Sequence, residues 1–244
     1  MRKNRLLAVD AARGAAIAGV VLFHFVWDLE FTGFVSGVAF HPLWLAFGRL
    51  LAGSFMFLAG VSLVLAHGTE LRARTFFRRL AIIVVAALAI SIVTWFTFPD
   101  AFVYFGILHS IAVASLLGVM FVRLPASASL ITGLAIMALP WYLSLSAFDP
   151  RWLAWIGLSA NPPLSNDFVP VFPWAGITLL GMSFAKVVNI NKSRMASAGA
   201  ENAFFARLGW LGRHSLPIYL LHDKYCGPFL ARIFRKIGFI PPSE

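Results

Sequence analysis

Charged residues are scarce in this chain of 244 residues, at 12%, whereas apolar residues make up 60%. Soluble domains carry roughly 25% charged residues, and a soluble interior of this size has no room for so much apolar surface. The composition therefore excludes an ordinary soluble domain. A single cysteine, Cys226, excludes an internal disulfide. The sequence also lacks zinc-site spacings, G-x-S-x-G and dinucleotide-binding fingerprints, so we expect no metal site.

What the sequence does contain is seven apolar runs, each close to the length that crosses about 30 Å of hydrocarbon. We find no repeat at a fixed period and no second soluble domain. The pattern predicts an all-α, polytopic integral membrane helix bundle of seven or eight transmembrane helices, forming a single domain over residues 1–244. The runs lie near residues 7–27, 43–66, 80–98, 102–122, 127–147, 168–188 and 214–234.

The connections between these runs predict the orientation of the chain. The formal net charge is +10, and the lysines and arginines are distributed among these connections instead of forming one basic stripe. This distribution argues against a nucleic-acid partner. The positive-inside rule places the N-terminus and the even-numbered loops in the cytoplasm. Seven crossings would leave the last three cations outside, so the seventh run is either re-entrant or hides a further crossing. The two longest connections are expected at 148–167, lying at the membrane interface, and at 189–213.

The first run carries an unusual polar stripe, in "VDAARGAAIAGVVLFHFVWD" at residues 9–28. Asp10, Arg13, His24 and Asp28 fall within about 60° of one another around a helix. A charged residue at the bilayer centre costs roughly 2.5–3.5 kcal/mol. We therefore expect the stripe to face a protein interior or a water-filled cavity.

Spacing along the helix divides the stripe into two pairs. Asp10 and Arg13 (i, i+3) can pair near the cytoplasmic end, and His24 and Asp28 (i, i+4) near the outer end. Arg13 and His24 lie roughly 16 Å apart along the axis and cannot touch. A His–Asp pair is the usual arrangement of a general base. The plainer alternatives are a helix cap at Asp10 and a snorkelling Arg13. For His109, on the fourth run, the plainer alternative is a histidine that only bonds a neighbouring helix.

Other stretches, together with the Arg13-x10-His24 spacing, resemble the heparan-alpha-glucosaminide N-acetyltransferase catalytic-domain family, in its short bacterial branch. The spacing is also similar to that of the membrane acyltransferase type 3 family. The resemblance runs from about Leu6 to His222. It is carried by "VDAARG" (9–14), "GSFMFLAGVSLVLA" (53–66), "FGILHSIAVASLLG" (105–118), "NDFVPVFPWAGITLLG" (166–181) and "LGRHSLPIYLLH" (211–222).

The resemblance implies a membrane-bound acyltransferase of the bacterial inner membrane, surrounded by membrane lipids. The acyl group, in the first instance acetyl, would pass from cytoplasmic acetyl-CoA to a glycan-like, lipid or amine acceptor at the outer face. A membrane histidine would be essential, and two candidates remain: His24, from the acyltransferase type 3 pattern, and His41, from the lysosomal members. His109 is a further candidate, by its depth on the fourth run. The shortness of the chain favours a homodimer.

Within this interpretation, Asp28 orients His24, and Arg13, held by Asp10, binds the phosphates of the acyl-CoA donor together with the basic second loop. Arginine suits phosphate because its planar fork donates bidentate hydrogen bonds. The alternative function is a small transporter or channel whose path the polar stripe lines. Transporters often show two related halves with broken helices, and we find no such halves in the sequence. A purely structural envelope protein would leave the stripe unexplained.

Overall fold

The structure, a computed structural model, describes residues 7–68, 70–188 and 203–221. A 3-10 turn at Ser146–Phe148 precedes α6, and residues 215–221 are also helical. Within these ranges there are two isolated β-bridges and no strand, so the prediction of an all-α protein is confirmed for the residues described. The helices are α1 (Leu7–Phe31), α2 (Pro42–His67), α3 (Ala73–Thr97), α4 (Ile107–Phe121), α5 (Ala126–Tyr142), α6 (Arg151–Ala154), α7 (Val171–Val187) and α8 (Ala203–Arg213).

Three of these helices are long and apolar enough to cross a membrane, namely α1, α2 and α3. Three shorter apolar helices, α4, α5 and α7, have 15, 17 and 17 residues. These six coincide with the first six predicted runs. Most of the seventh run, 214–234, lies outside the described residues. The chain is a helical membrane protein, and the number of seven or eight crossings stays a prediction.

Three predicted runs are longer than their helices. The fourth run is expected from residue 102, but α4 begins at Ile107, because the chain first folds back on α3: the Val103 amide donates to Thr94 Oγ1 at 3.0 Å. The fifth run is expected to reach residue 147, but α5 ends at Tyr142, and the sixth, 168–188, exceeds α7 at both ends. Hydropathy reports burial in an apolar medium, and these apolar residues flank their α-helices without continuing them.

The expectation of a loop throughout 189–213 is wrong at its C-terminal end, where α8 lies. The chain divides into two compact units: unit 1 comprises residues 1–54 and 191–244, and unit 2 comprises residues 55–190. Helix α8 belongs to unit 1 and packs against α1 there. A Cβ added at Gly212 would stand 1.8 Å from the Asp10 carbonyl oxygen, and one at Gly14 would stand 1.9 Å from the Leu208 carbonyl oxygen. The two helices are antiparallel, and only glycine permits this approach.

Unit 1 also contains the hairpin formed by α1 and the first part of α2. The connecting loop, residues 32–41, is fixed by the Glu30 carboxylate, which accepts hydrogen bonds from the amides of Gly37 and Val38 at 2.9 Å each and from the Ala39 amide. Gly37 has φ +77°, a conformation that other residues rarely adopt. The loop therefore delivers the chain to the start of α2 in a defined geometry.

Unit 2 contains the rest of α2 and α3 to α7. Helix α2 approaches α7 closely, since a Cβ at Gly60 would stand 1.9 Å from the Thr178 carbonyl oxygen. Small residues such as Gly60 allow this close packing of helices. Lys186 closes the end of α7 by donating to the carbonyls of Phe121 and Leu124, at 2.6 and 2.8 Å, and to Ser129 Oγ at 3.0 Å. One buried cluster of unit 2 comprises Leu63, Phe76, Val122, Leu179 and Met182.

Candidate functional site

The polar stripe of α1 points inward. Asp10 is only 4% exposed, and Arg13, His24 and Asp28 are partly buried. The exposed face of the helix is apolar, which suits contact with lipid. The structure therefore confirms that the stripe faces protein. The exposed positions include Ala12, Ala15, Ala18, Leu22 and Phe25.

The predicted Asp10–Arg13 pair is confirmed. Arg13 Nη1 lies 3.4 Å from Asp10 Oδ1, and the two side chains are 18% and 6% exposed. The pair is held at the place where α8 crosses α1, because Gly212 packs on the backbone carbonyl of Asp10. Arg13 thus presents a largely enclosed guanidinium at the end of α1 that the sequence assigns to the cytoplasm.

His24 carries its proton on Nδ1. That nitrogen lies 3.0 Å from the Val20 carbonyl oxygen, one turn earlier. A carbonyl oxygen only accepts hydrogen bonds, so Nδ1 is the donor and the lone pair of the neutral ring lies on Nε2. The Val20 carbonyl is an orienting partner that the sequence did not predict. The neutral ring in this tautomer has no second N–H for Asp28, so the pairing of His24 with Asp28, which stays a prediction, requires the protonated ring, in which both nitrogens donate.

His41 has the opposite tautomer. It caps α2, and its Nδ1 accepts a hydrogen bond from the Leu43 amide at 3.3 Å. Because Nδ1 is an acceptor, the proton of the neutral ring lies on Nε2. His41 therefore offers an N–H group, whereas His24 offers a lone pair.

An aromatic stack lies at the end of the hairpin that carries these two histidines. The Phe23 ring is 5.6 Å from the His24 ring and stacks on Trp44 at 5.4 Å, with an interplanar angle of 7°. Trp44 follows His41 by three residues, and both line a pocket of about 340 Å³. The remaining lining residues are Leu22, Gly37, Val38, Leu43 and Phe47.

His109 lies in unit 2, and both of its ring nitrogens are engaged. Nδ1 accepts from the Gly106 amide at 3.2 Å, and Nε2 lies 3.2 Å from Ser91 Oγ. Ser91 donates its own proton to the Val103 carbonyl at 2.6 Å, so Nε2–H of His109 must donate to Ser91. The histidine thereby ties the first turn of α4 to α3. This geometry favours the plainer alternative, a structural histidine.

Sequence reasoning missed Asp167, which stabilises the same turn. Its Oδ2 accepts from the Ile107 amide at 2.9 Å, at the N-terminus of α4, where a negative charge is favourable. The two residues are sixty positions apart in the sequence, which hid this contact. Nearby in sequence, the expected interfacial loop is held by Asp149, whose pKa is lowered by hydrogen bonds from the Asn161 amide and the Ser159 hydroxyl.

Four arginines of the α2–α3 connection and the start of α3 are exposed and close in sequence. They belong to unit 2 and are Arg72, Arg74, Arg78 and Arg79. Within the described ranges, no group of three or more His, Cys, Asp or Glu residues is arranged to hold a metal ion.

The apolar helices that are long enough to span a membrane define a polytopic membrane protein. The chain belongs to the family described as "Heparan-alpha-glucosaminide N-acetyltransferase, catalytic", whose sequence model matches residues 5–224. Family membership implies a membrane protein with acetyltransferase activity. No curated protein and no solved structure gives a significant match to the chain.

Proposed function

We propose that the protein transfers an acetyl group from acetyl-CoA to a hydroxyl or amine acceptor, with His24 Nε2 as the base or acyl carrier. The observation that supports this choice is the tautomer of His24. Of His24, His41 and His109, it is His24 whose Nδ1 donates a hydrogen bond, which makes Nε2 the basic nitrogen. A general base needs a lone pair directed away from the group that orients the ring.

The reaction balances with these groups. The acceptor heteroatom attacks the thioester carbonyl carbon as Nε2 takes its proton, the C–S bond breaks, and the CoA thiolate recovers the proton from the imidazolium. If Nε2 attacks first, the C–S bond breaks, CoA leaves as the thiolate and an acyl-imidazolium forms. The acceptor heteroatom then attacks the acyl carbon, the C–N bond to the ring breaks, and the acceptor's proton passes to the CoA thiolate. In either order, negative charge develops on the thioester oxygen. His41 Nε2–H is suited to stabilise that charge by donating a hydrogen bond.

The donor end of the site is assigned to Arg13, positioned by Asp10. The rise of roughly 16 Å from Arg13 to His24 is of the order of an extended pantetheine arm. With the N-terminus in the cytoplasm, the phosphates would bind at the inner end of α1 and the thioester would reach His24 in the outer half of the membrane. The exposed arginines of the α2–α3 connection and the start of α3, which the positive-inside rule assigns to the cytoplasmic side, would attract the anionic donor to the membrane.

The first test removes the base. His24→Ala in purified, reconstituted protein should lower the rate of acetyl transfer from acetyl-CoA by about 10²–10⁴-fold, with donor binding unchanged. The matched control is His214→Ala. The ring of His214 makes the same contact with a carbonyl one turn earlier, at 2.9 Å from Trp210, but it is exposed at the end of α8. Equal rates for the two variants would contradict the assignment of His24.

The second test concerns the donor. Arg13→Ala should weaken acetyl-CoA binding about tenfold, because charge-assisted hydrogen bonds contribute roughly 1.5–3 kcal/mol, and wild-type binding should weaken as salt rises. Arg207→Ala, an exposed arginine on α8, is the control and should bind as the wild type does. Unchanged affinity in Arg13→Ala would leave Arg13 as a structural partner of Asp10. Movement of an ion or solute through liposomes without any acetyl transfer would establish the transporter alternative.

A further inference from the structure

The pocket of unit 1 is lined almost wholly by hydrocarbon. Among its seven lining residues, His41 and Trp44 alone carry polar side-chain atoms, and the others are apolar side chains and a glycine. Its volume of about 340 Å³ is at the low end for small-molecule sites, which are typically roughly 300–1,000 Å³. A free sugar presents hydroxyl groups on all sides, and this lining would leave most of them without hydrogen-bond partners.

The apolar rim of the pocket is exposed on helices that are long enough to span a membrane. Leu22 on α1 is 51% exposed and Leu43 on α2 is 75% exposed. In lipid these side chains contact acyl chains, so the pocket is continuous with the lipid-facing surface of the hairpin. A molecule that enters past Leu22 and Leu43 arrives from the bilayer.

Trp44, one of the residues that line the pocket, carries an unused hydrogen-bond donor. Its Nε1 is buried and finds no acceptor anywhere in residues 7–68, 70–188 and 203–221. A buried N–H without a partner costs roughly 1–3 kcal/mol, a cost that a ligand oxygen or nitrogen would remove. Together with the exposed ring of His41, Trp44 adds two polar groups to an apolar lining, a pattern that fits a polar head next to an apolar chain.

We propose that the acceptor is lipid-borne: an amphiphile whose hydroxyl or amine lies at His41 and Trp44 while the first part of its apolar chain packs against Leu22, Leu43 and Phe47. This inference rests on the proposed acetyl transfer and names the acceptor class for it. Among glycan, lipid and amine acceptors, it selects those attached to an apolar chain.

The test compares glucosamine with octyl glucosaminide, two probes that have the same amine and differ by an eight-carbon chain. Wild-type protein in nanodiscs and two leucine variants are titrated with the octyl probe without acetyl-CoA. Leu43→Gln should weaken binding about tenfold, and Leu50→Gln should change it less than twofold. Both leucines are exposed on α2, at 75% and 66%, but Leu50 is outside the pocket lining. The octyl probe partitions into the lipid equally in all three samples, so differences in measured affinity come from the protein.

A second variant tests the polar head. Trp44→Phe keeps the stacked ring and removes the N–H, and it should weaken the octyl probe about fivefold, as expected for one hydrogen bond of about 1 kcal/mol. Equal affinities of Leu43→Gln and Leu50→Gln would overturn the inference. Equal KM values for acetyl transfer to glucosamine and to octyl glucosaminide would also overturn the inference. That result would still support the proposed acetyl transfer. Binding sensitive to Leu43 without transfer to either probe would support the pocket and overturn the proposed function.

Discussion

The two compact units of the molecule hold their helical histidines in opposite ways. In unit 1, His24 uses Nδ1 to donate to the Val20 carbonyl of its own helix, which places the lone pair on Nε2. In unit 2, His109 uses Nδ1 to accept from the Gly106 amide and Nε2 to donate to Ser91. The first arrangement suits the base that we propose. The second uses both ring nitrogens to join two helices.

The comparison shows why a histidine in an apolar helix is an ambiguous signal. Both residues lie in apolar runs, and both are candidates from the sequence. Their chemistry differs because of the groups that meet the ring: a carbonyl acceptor at His24, and an amide donor at His109. The hydrogen-bond partners of the ring nitrogens, more than the burial of the ring, distinguish a candidate base from a structural histidine.

Among the variants that test this comparison, we expect the largest change in kcat at His41, the second histidine of unit 1. His41→Ala removes the proposed donor to the thioester oxygen, so kcat should fall by about 10²–10³-fold, the usual cost of losing one such donor. His41→Asn, which keeps an N–H group and a good helix cap, should recover part of the rate. The roles of the two histidines would have to be exchanged if His41→Ala and His41→Asn were both inactive while His24→Ala remained active.

At His109 we expect a smaller effect, on the stability of the protein and not on its rate. His109→Ala leaves the Gly106 amide without its acceptor, which should lower the free energy of unfolding by about 1–3 kcal/mol and leave kcat of the folded protein unchanged. His109→Gln should restore part of the stability, because glutamine at this position of a helix accepts the same amide. Thermal unfolding and initial rates measure the two quantities separately. A hundredfold loss of rate at full stability would instead make His109 catalytic.

The features that could be predicted from the sequence are local ones. The stripe on α1 and the Asp10–Arg13 pair follow from helical periodicity over a few residues, and the structure confirms both. The tautomers of His24, His41 and His109 depend on backbone groups whose position only the folded chain defines. The contact of Asp167 with the Ile107 amide joins residues sixty positions apart. Hydropathy alone could not locate these contacts.

The same limit applies to the helix boundaries. The sequence predicts a loop where α8 lies, because the arginines and the glycines Gly209 and Gly212 interrupt the apolar pattern there. Those glycines are nevertheless buried, and Gly212 allows the close packing on α1. The single-domain expectation for residues 1–244 and the role of Asp28 stay predictions. The roles of His41 and Arg13 in transfer are also predictions, and the mutants above address them.

The most direct test of the central claim is the tautomer of His24 itself. In protein labelled with ¹⁵N-histidine and reconstituted in lipid, NMR at a pH where the ring is neutral distinguishes protonated from unprotonated ring nitrogens, and His24→Gln assigns the signal by difference. We expect Nδ1 of His24 to be protonated and Nε2 unprotonated, with the reverse pattern at His109. A protonated Nε2 and an unprotonated Nδ1 at His24 would contradict its assignment as the base.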